Sequence, residues 1–89
     1  MVFVRKIVLD VLKPHQPNAL ELSMAIAKEG ADYNVRLTVL EVDENTETVQ
    51  VEVTGSAIDF ESVRSTISKL GGSLHSIDGV EVQSEPDAG

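Results

Sequence analysis

Apolar and polar residues alternate from Val2 to Leu12, the period of a β-strand. Phe3, Ile7, Leu9 and Val11 take one face, and Val4, Lys6, Val8, Asp10 and Leu12 the other. Pro14 and Pro17 stop this segment. Asn18, with Glu21 three residues on, reads as a capping box opening a helix that runs to about Glu29, with Gly30 placed to close it. Tyr33 to Val42 alternates again, Val35, Leu37 and Val39 against Arg36 and Thr38, and Asp43-Glu44-Asn45-Thr46 supplies a hairpin turn. Thr48 to Thr54 comes next with Val49, Val51 and Val53 inward, and Gly55 ends it. Asp59 caps a second helix carrying Phe60, Val63, Ile67 and Leu70 at helical spacing, closed by Gly71-Gly72. Leu74 to Val82 reads as the last strand, bulged at Asp78-Gly79, and residues 83–89 read as a flexible acidic tail.

The order strand, helix, strand, strand, helix, strand predicts an α+β, ferredoxin-like βαββαβ sandwich. Right-handed crossovers turn it into a four-stranded antiparallel sheet of order 4-1-3-2 with both helices on one face. The opposite, open face of such a sheet is normally polar. Simple alternation instead puts Val4, Val8 and Leu12 of the first strand there, with Leu40 and Val42 of the second and Ile77 of the last. The first helix is also apolar on more than one side, with Leu20, Met24 and Ala27 on one and Leu22 and Ile26 on another. This surplus predicts a self-association surface made of those six sheet residues.

Length sharpens that expectation. The 89 residues suffice for one domain, 1–89. A chain this short has a thin core, which oligomerisation commonly supplements. With three aromatics, Phe3, Tyr33 and Phe60, the core must be aliphatic. The absence of cysteine removes disulfides, thiolate metal sites and thiol nucleophiles. Fifteen acidic against seven basic side chains give a net charge of −8. Nucleic acid and anionic membrane surfaces are therefore unlike partners, since both reward clustered positive charge and the one dense basic pair is Arg5-Lys6. Solubility is the plain meaning of the acidity, and a salt-rich cytoplasm the more specialised one. The N-terminus carries its charges inside an alternating strand and not ahead of an apolar run, so the expected location is the cytoplasm.

The topology predicts one polar pole, where Lys13-Pro14-His15, Asp43, Glu44, Glu47, Gly71-Gly72 and His75 gather, with Asp10 and Asp78 near it. Lys13, His15, His75 and Asp78 are the candidate ligand-binding residues. Asp10, Asp43 and Glu47 are the weaker candidates for a metal, a hard divalent cation such as Ca²⁺ or Mg²⁺ being what carboxylates prefer. No local ligand spacing marks a metal site, and exposed loop carboxylates are the plainer explanation. Ser76 beside His75 is not a nucleophile–base pair, because neighbours on a strand point to opposite faces. No Gly-x-Ser-x-Gly elbow exists, and the expectation is a protein without enzymatic activity.

Leu12-Lys13-Pro14-His15-Gln16-Pro17 and Gly71-Gly72-Ser73-Leu74-His75-Ser76-Ile77-Asp78 resemble the domain-of-unknown-function family two hundred and eleven, a small archaeal family. Glu41-Val42-Asp43, Thr46-Glu47 and Gly55 through Asp59 extend the likeness over nearly the whole chain, with Leu74 a conservative departure from an expected Ile. The resemblance implies a ferredoxin-like fold, an archaeal source and a homo-oligomer, a ring being one form of it. It makes His15, His75 and Asp78 candidates without assigning them roles. Two functional expectations result: a regulatory module that binds a small ligand or divalent cation, or a structural, scaffolding oligomer without a ligand.

Overall fold

The computed structural model describes residues 1–86. Its elements are β1 (Val2–Pro14), α1 (Ala19–Ala27), β2 (Asn34–Val42), β3 (Thr46–Thr54), α2 (Phe60–Lys69) and β4 (Ser73–Ser84). The four strands form one antiparallel sheet of order β2-β3-β1-β4, which is 4-1-3-2 read from the other edge. Of the expected tail, Gln83 and Ser84 belong to β4 and pair with Phe3 and Val2, and the Glu85 N–H donates to the Met1 carbonyl at 2.8 Å. Residues 87–89 lie outside the described residues.

The core arises from the two central strands. Ile7, Leu9 and Val11 of β1 stand opposite Val53, Val51 and Val49 of β3, and all six are buried. Leu22 and Ile26 of α1, Val63 and Ile67 of α2, and Ile58 close over them. Each such aliphatic side chain contributes about 1.5–3 kcal/mol relative to an exposed one.

The helix ends obey local chemistry. Asn18 Oδ1 accepts from the Glu21 N–H at 2.8 Å while Glu21 Oε1 accepts from the Asn18 N–H, completing the capping box. Beyond α2, the Gly72 N–H bonds the Ile67 carbonyl and the Gly71 N–H that of Ser68, with Gly71 at φ +87°. This paired pattern needs a left-handed residue, which glycine supplies without strain. Gly30 has no such conformation. The Tyr33 ring occupies the space where a Cβ on Gly30 would stand, so close approach is its reason.

The sheet departs from simple alternation at four bulges, of which only Asp78 was expected. Arg5 of β1, Leu40 of β2, and His75 and Asp78 of β4 are each an extra residue without a cross-strand partner in the interrupted pairing. An odd residue reverses the facing of everything beyond it. Val4 pairs with Val82 and packs against the helix-side core, not on the open face. Ile77 pairs with Leu9, and Val42 with Glu47 opposite Lys13, which puts both on the helix side as well. Leu40 is itself the bulge residue of β2. Val8 and Leu12 do lie on the open face, but among polar neighbours: Val8 is flanked by Glu52 and Gly79, and Leu12 by Thr48 and Ser73. Phe3, expected inward, is turned by the Arg5 bulge to this face, opposite Gln83. Apart from these three side chains of β1 the open face is polar. The apolar surplus sits on the helix side, where Ile77, Val80 and Val82 are 50%, 62% and 52% exposed.

Dimensions explain the surplus. The molecule measures 56 × 22 × 17 Å. Helices of 9 and 10 residues reach only ~15 Å at ~1.5 Å per residue, against ~40 Å for strands of 12 and 13 at ~3.3 Å. Two short helices cannot roof a sheet of that length.

Candidate functional site

Extension of β1 beyond Leu12 builds the polar pole. Lys13 and Pro14 pair with Glu47 and Thr46 of β3, so Lys13 continues the inward row of Ile7, Leu9 and Val11. Its side chain is 2% exposed. The Nζ donates to the Pro14 carbonyl at 2.8 Å and to Glu47 Oε1 at 3.1 Å, so the buried charge is both paired and hydrogen-bonded.

Glu47 carries a second partner. Its Oε2 faces His15 Nδ1 at 2.9 Å, and His15 Nε2 faces the Glu44 carbonyl oxygen at 2.9 Å. Both ring nitrogens thus look at acceptors. Only the doubly protonated imidazolium donates to both at once. The Glu47 hydrogen bond, reinforced by the Glu44 carbonyl, raises the His15 pKa above its ordinary value. The same bond, then that from Lys13, lowers the Glu47 pKa. The hairpin they hold is closed by the Asp43 N–H donating to the Thr46 carbonyl at 2.8 Å.

Lys13, His15 and Glu47 come together as expected, but as a closed clasp. The remaining candidates lie elsewhere. His75 is exposed, at one bulge of β4. Asp78 is at the other bulge, its Oδ1 accepting from Ser76 Oγ at 2.6 Å. Asp10 stands opposite Gln50 and Ser76 in the middle of the open face, away from Asp43 and Glu47. Among the described residues no group of three His, Asp or Glu side chains is placed to hold a metal ion. The trio Asp10, Asp43 and Glu47 is thus not assembled into a metal site, and both Glu47 oxygens are already engaged.

Sequence reasoning missed two features of the clasp. The burial of Lys13 was readable, since it shares the parity of Ile7, Leu9 and Val11, just as Glu47 shares that of Val49. The Glu44 carbonyl leaves no side-chain signal. Elsewhere an open groove runs between the helices, lined by Met24, Ala25 and Leu70 among others, and a smaller one lies between α2 and β4 beside Ile67 and Leu74. Among the described residues no helix is long and apolar enough to cross a membrane.

The sequence pattern of DUF211, described as "Uncharacterized ArCR", matches residues 5–85. The chain is also 40% identical over 77 residues to the uncharacterised protein MJ0319 of Methanocaldococcus jannaschii, covering 86% of this chain and 79% of that protein.

Proposed function

The chain belongs to the DUF211 family, and on that premise we propose that it is a cytoplasmic, non-enzymatic, ferredoxin-like domain whose work is structural: it assembles with copies of itself. The observation carrying this reading is the bare apolar row Ile77, Val80 and Val82 on the helix side of edge strand β4. The row lies beyond Leu74, which lines the smaller groove beside α2. A second apolar patch, Val39, Leu40 and Val42, is 41%, 59% and 64% exposed on the opposite edge strand, β2. Two unlike patches on opposite edges suit a head-to-tail contact, β2 edge of one copy against β4 edge of the next. Such a contact gives a ring when its rotation closes. The scaffold reading is preferred to a ligand- or cation-binding module because the pole's best candidate groups, Lys13, His15 and Glu47, bind one another.

Sedimentation of the wild-type chain and of the variants Val80→Asp and Leu40→Asp tests this. Each variant should be monomeric with an unchanged circular dichroism spectrum. An equimolar mixture should form a heterodimer, since each variant keeps one intact edge. A wild-type chain that sediments as a monomer at tens of micromolar, about the range where a weak interface registers, sinks the proposal.

A further inference from the structure

We infer that His15 is a proton-operated latch: as an imidazolium it ties the end of β1 to both the stem and the tip of the β2–β3 hairpin, and on losing its proton it releases one of the two. The geometry requires this. Nδ1 and Nε2 each stand 2.9 Å from an oxygen, one from the Glu47 carboxylate and one from the Glu44 carbonyl, and neither acceptor can donate in return. A neutral ring carries one N–H, so one of the two contacts becomes a meeting of lone pairs. The ring is 39% exposed, so protons reach it without unfolding.

The charged groups around the ring come from three segments. Glu47 reaches it from β3, Lys13 sits behind Glu47 from β1, and the turn brings Asp43 and Glu44, whose backbone carbonyls favour the protonated form. Lys13 keeps Glu47 ionised when the imidazole is neutral, because its buried ammonium bonds the other carboxylate oxygen. The release therefore falls on His15 and the turn, not on the Lys13–Glu47 pair.

The latch acts on a surface with a proposed use. Val42 is the cross-strand partner of Glu47, and Leu40 is the bulge just before it. Loosening the hairpin disorders that end of β2. Resting on the assembly reading above, the latch makes the β2-edge contact tighter in mild acid and weaker in mild alkali.

Linkage sets the sign. A histidine with a raised folded pKa contributes stability that is whole below about 6.5 and is lost as pH climbs through the folded value. Glu47, with a lowered folded pKa, contributes above roughly 4.3 and loses it as pH falls through the lower folded value. The clasp is complete between these limits.

The test is an NMR titration of the His15 ring in the wild-type chain, with His75→Gln to assign the signals, alongside hydrogen exchange at the Asp43 amide corrected for intrinsic rate. His15 should titrate above ~6.5, with Asp43 protection falling severalfold over the same interval. Glu47→Gln should abolish both effects while leaving the circular dichroism spectrum in place. A midpoint at or below the ordinary value, or flat protection across it, overturns the latch. Sedimentation over the same pH range tests the coupling: the dissociation constant should rise severalfold through the midpoint in wild type and stay flat in His15→Gln. A stable assembly indifferent to the midpoint overturns the coupling. A wild-type monomer at every pH refutes the assembly reading, while titration and exchange still decide the latch.

Discussion

The central and edge strands of this sheet are built from the same residue types and have opposite fates. β1 and β3 pair over nine positions, Lys6 with Thr54 through Pro14 with Thr46, without a shift of register. Their inward Val, Ile and Leu are buried. β2 and β4, also rich in Val, Leu and Ile, carry three bulges between them and leave Val39, Val42, Ile77, Val80 and Val82 41% to 64% exposed. The difference is position. A central strand has neighbours on both sides and helices above it, so any slip would move its whole apolar row out of the core. An edge strand has one neighbour and, on this molecule, too little helix to cover it. Bulges there cost less and blunt the open edge against uncontrolled strand addition.

Truncations in the two regions should separate centre from edge most clearly. Leu9→Ala removes a side chain with 0% exposure and should cost about 2–5 kcal/mol in urea unfolding. Ile77→Ala, opposite Leu9 on β4 and half exposed, should cost about 1 kcal/mol or less when measured on the dilute monomer. Equal losses would show that the edge row is covered within a single copy. Where α2 turns into β4, the expected effect lies well below that of Leu9→Ala. Gly71→Ala must place a Cβ at φ +87° and should cost roughly 1–2 kcal/mol by thermal melting; an unchanged melting temperature would mean the turn can be rebuilt. The smallest effect belongs to the open face. Val8→Thr exchanges one β-branched side chain for another between Glu52 and Gly79 and should stay within ~0.5 kcal/mol, leaving assembly intact.

Much of the candidate site was legible. Lys13, His15 and Glu47 can be named from the chain because they bracket the crossover after β1 and the β2–β3 turn, which the topology brings to one pole. Their arrangement as a clasp was harder to read, because half of the acceptors are backbone carbonyls, and Pro14 and Glu44 contribute them by shape alone. His75 and Asp78 were assigned to that pole or its neighbourhood, and both are β4 bulge residues, His75 beside Asp10 and Val11 and Asp78 farther along beside Val8 and Leu9. Asp10 shares their neighbourhood and is separated from Glu47 by the sheet itself.

Signals that act within a few residues are written in the chain. Periods of two and 3.6, capping at Asn18 and Asp59, and glycines at the close of α2 are of this kind, so element order, strand order, the inward row of β3 and that of β1 from Ile7 onward are readable from it. The facing of the residues beyond each bulge, in the edge strands and at the start of β1, belongs instead to the folded sheet. One extra residue at Arg5, Leu40, His75 or Asp78 reverses the parity of the residues beyond it, and whether it is extra depends on a partner strand distant in sequence. That is why Val4, Val42 and Ile77 moved from the open face to the helix side, and Phe3 the other way. It is also why the apolar surplus lies on the rim that two short helices leave bare.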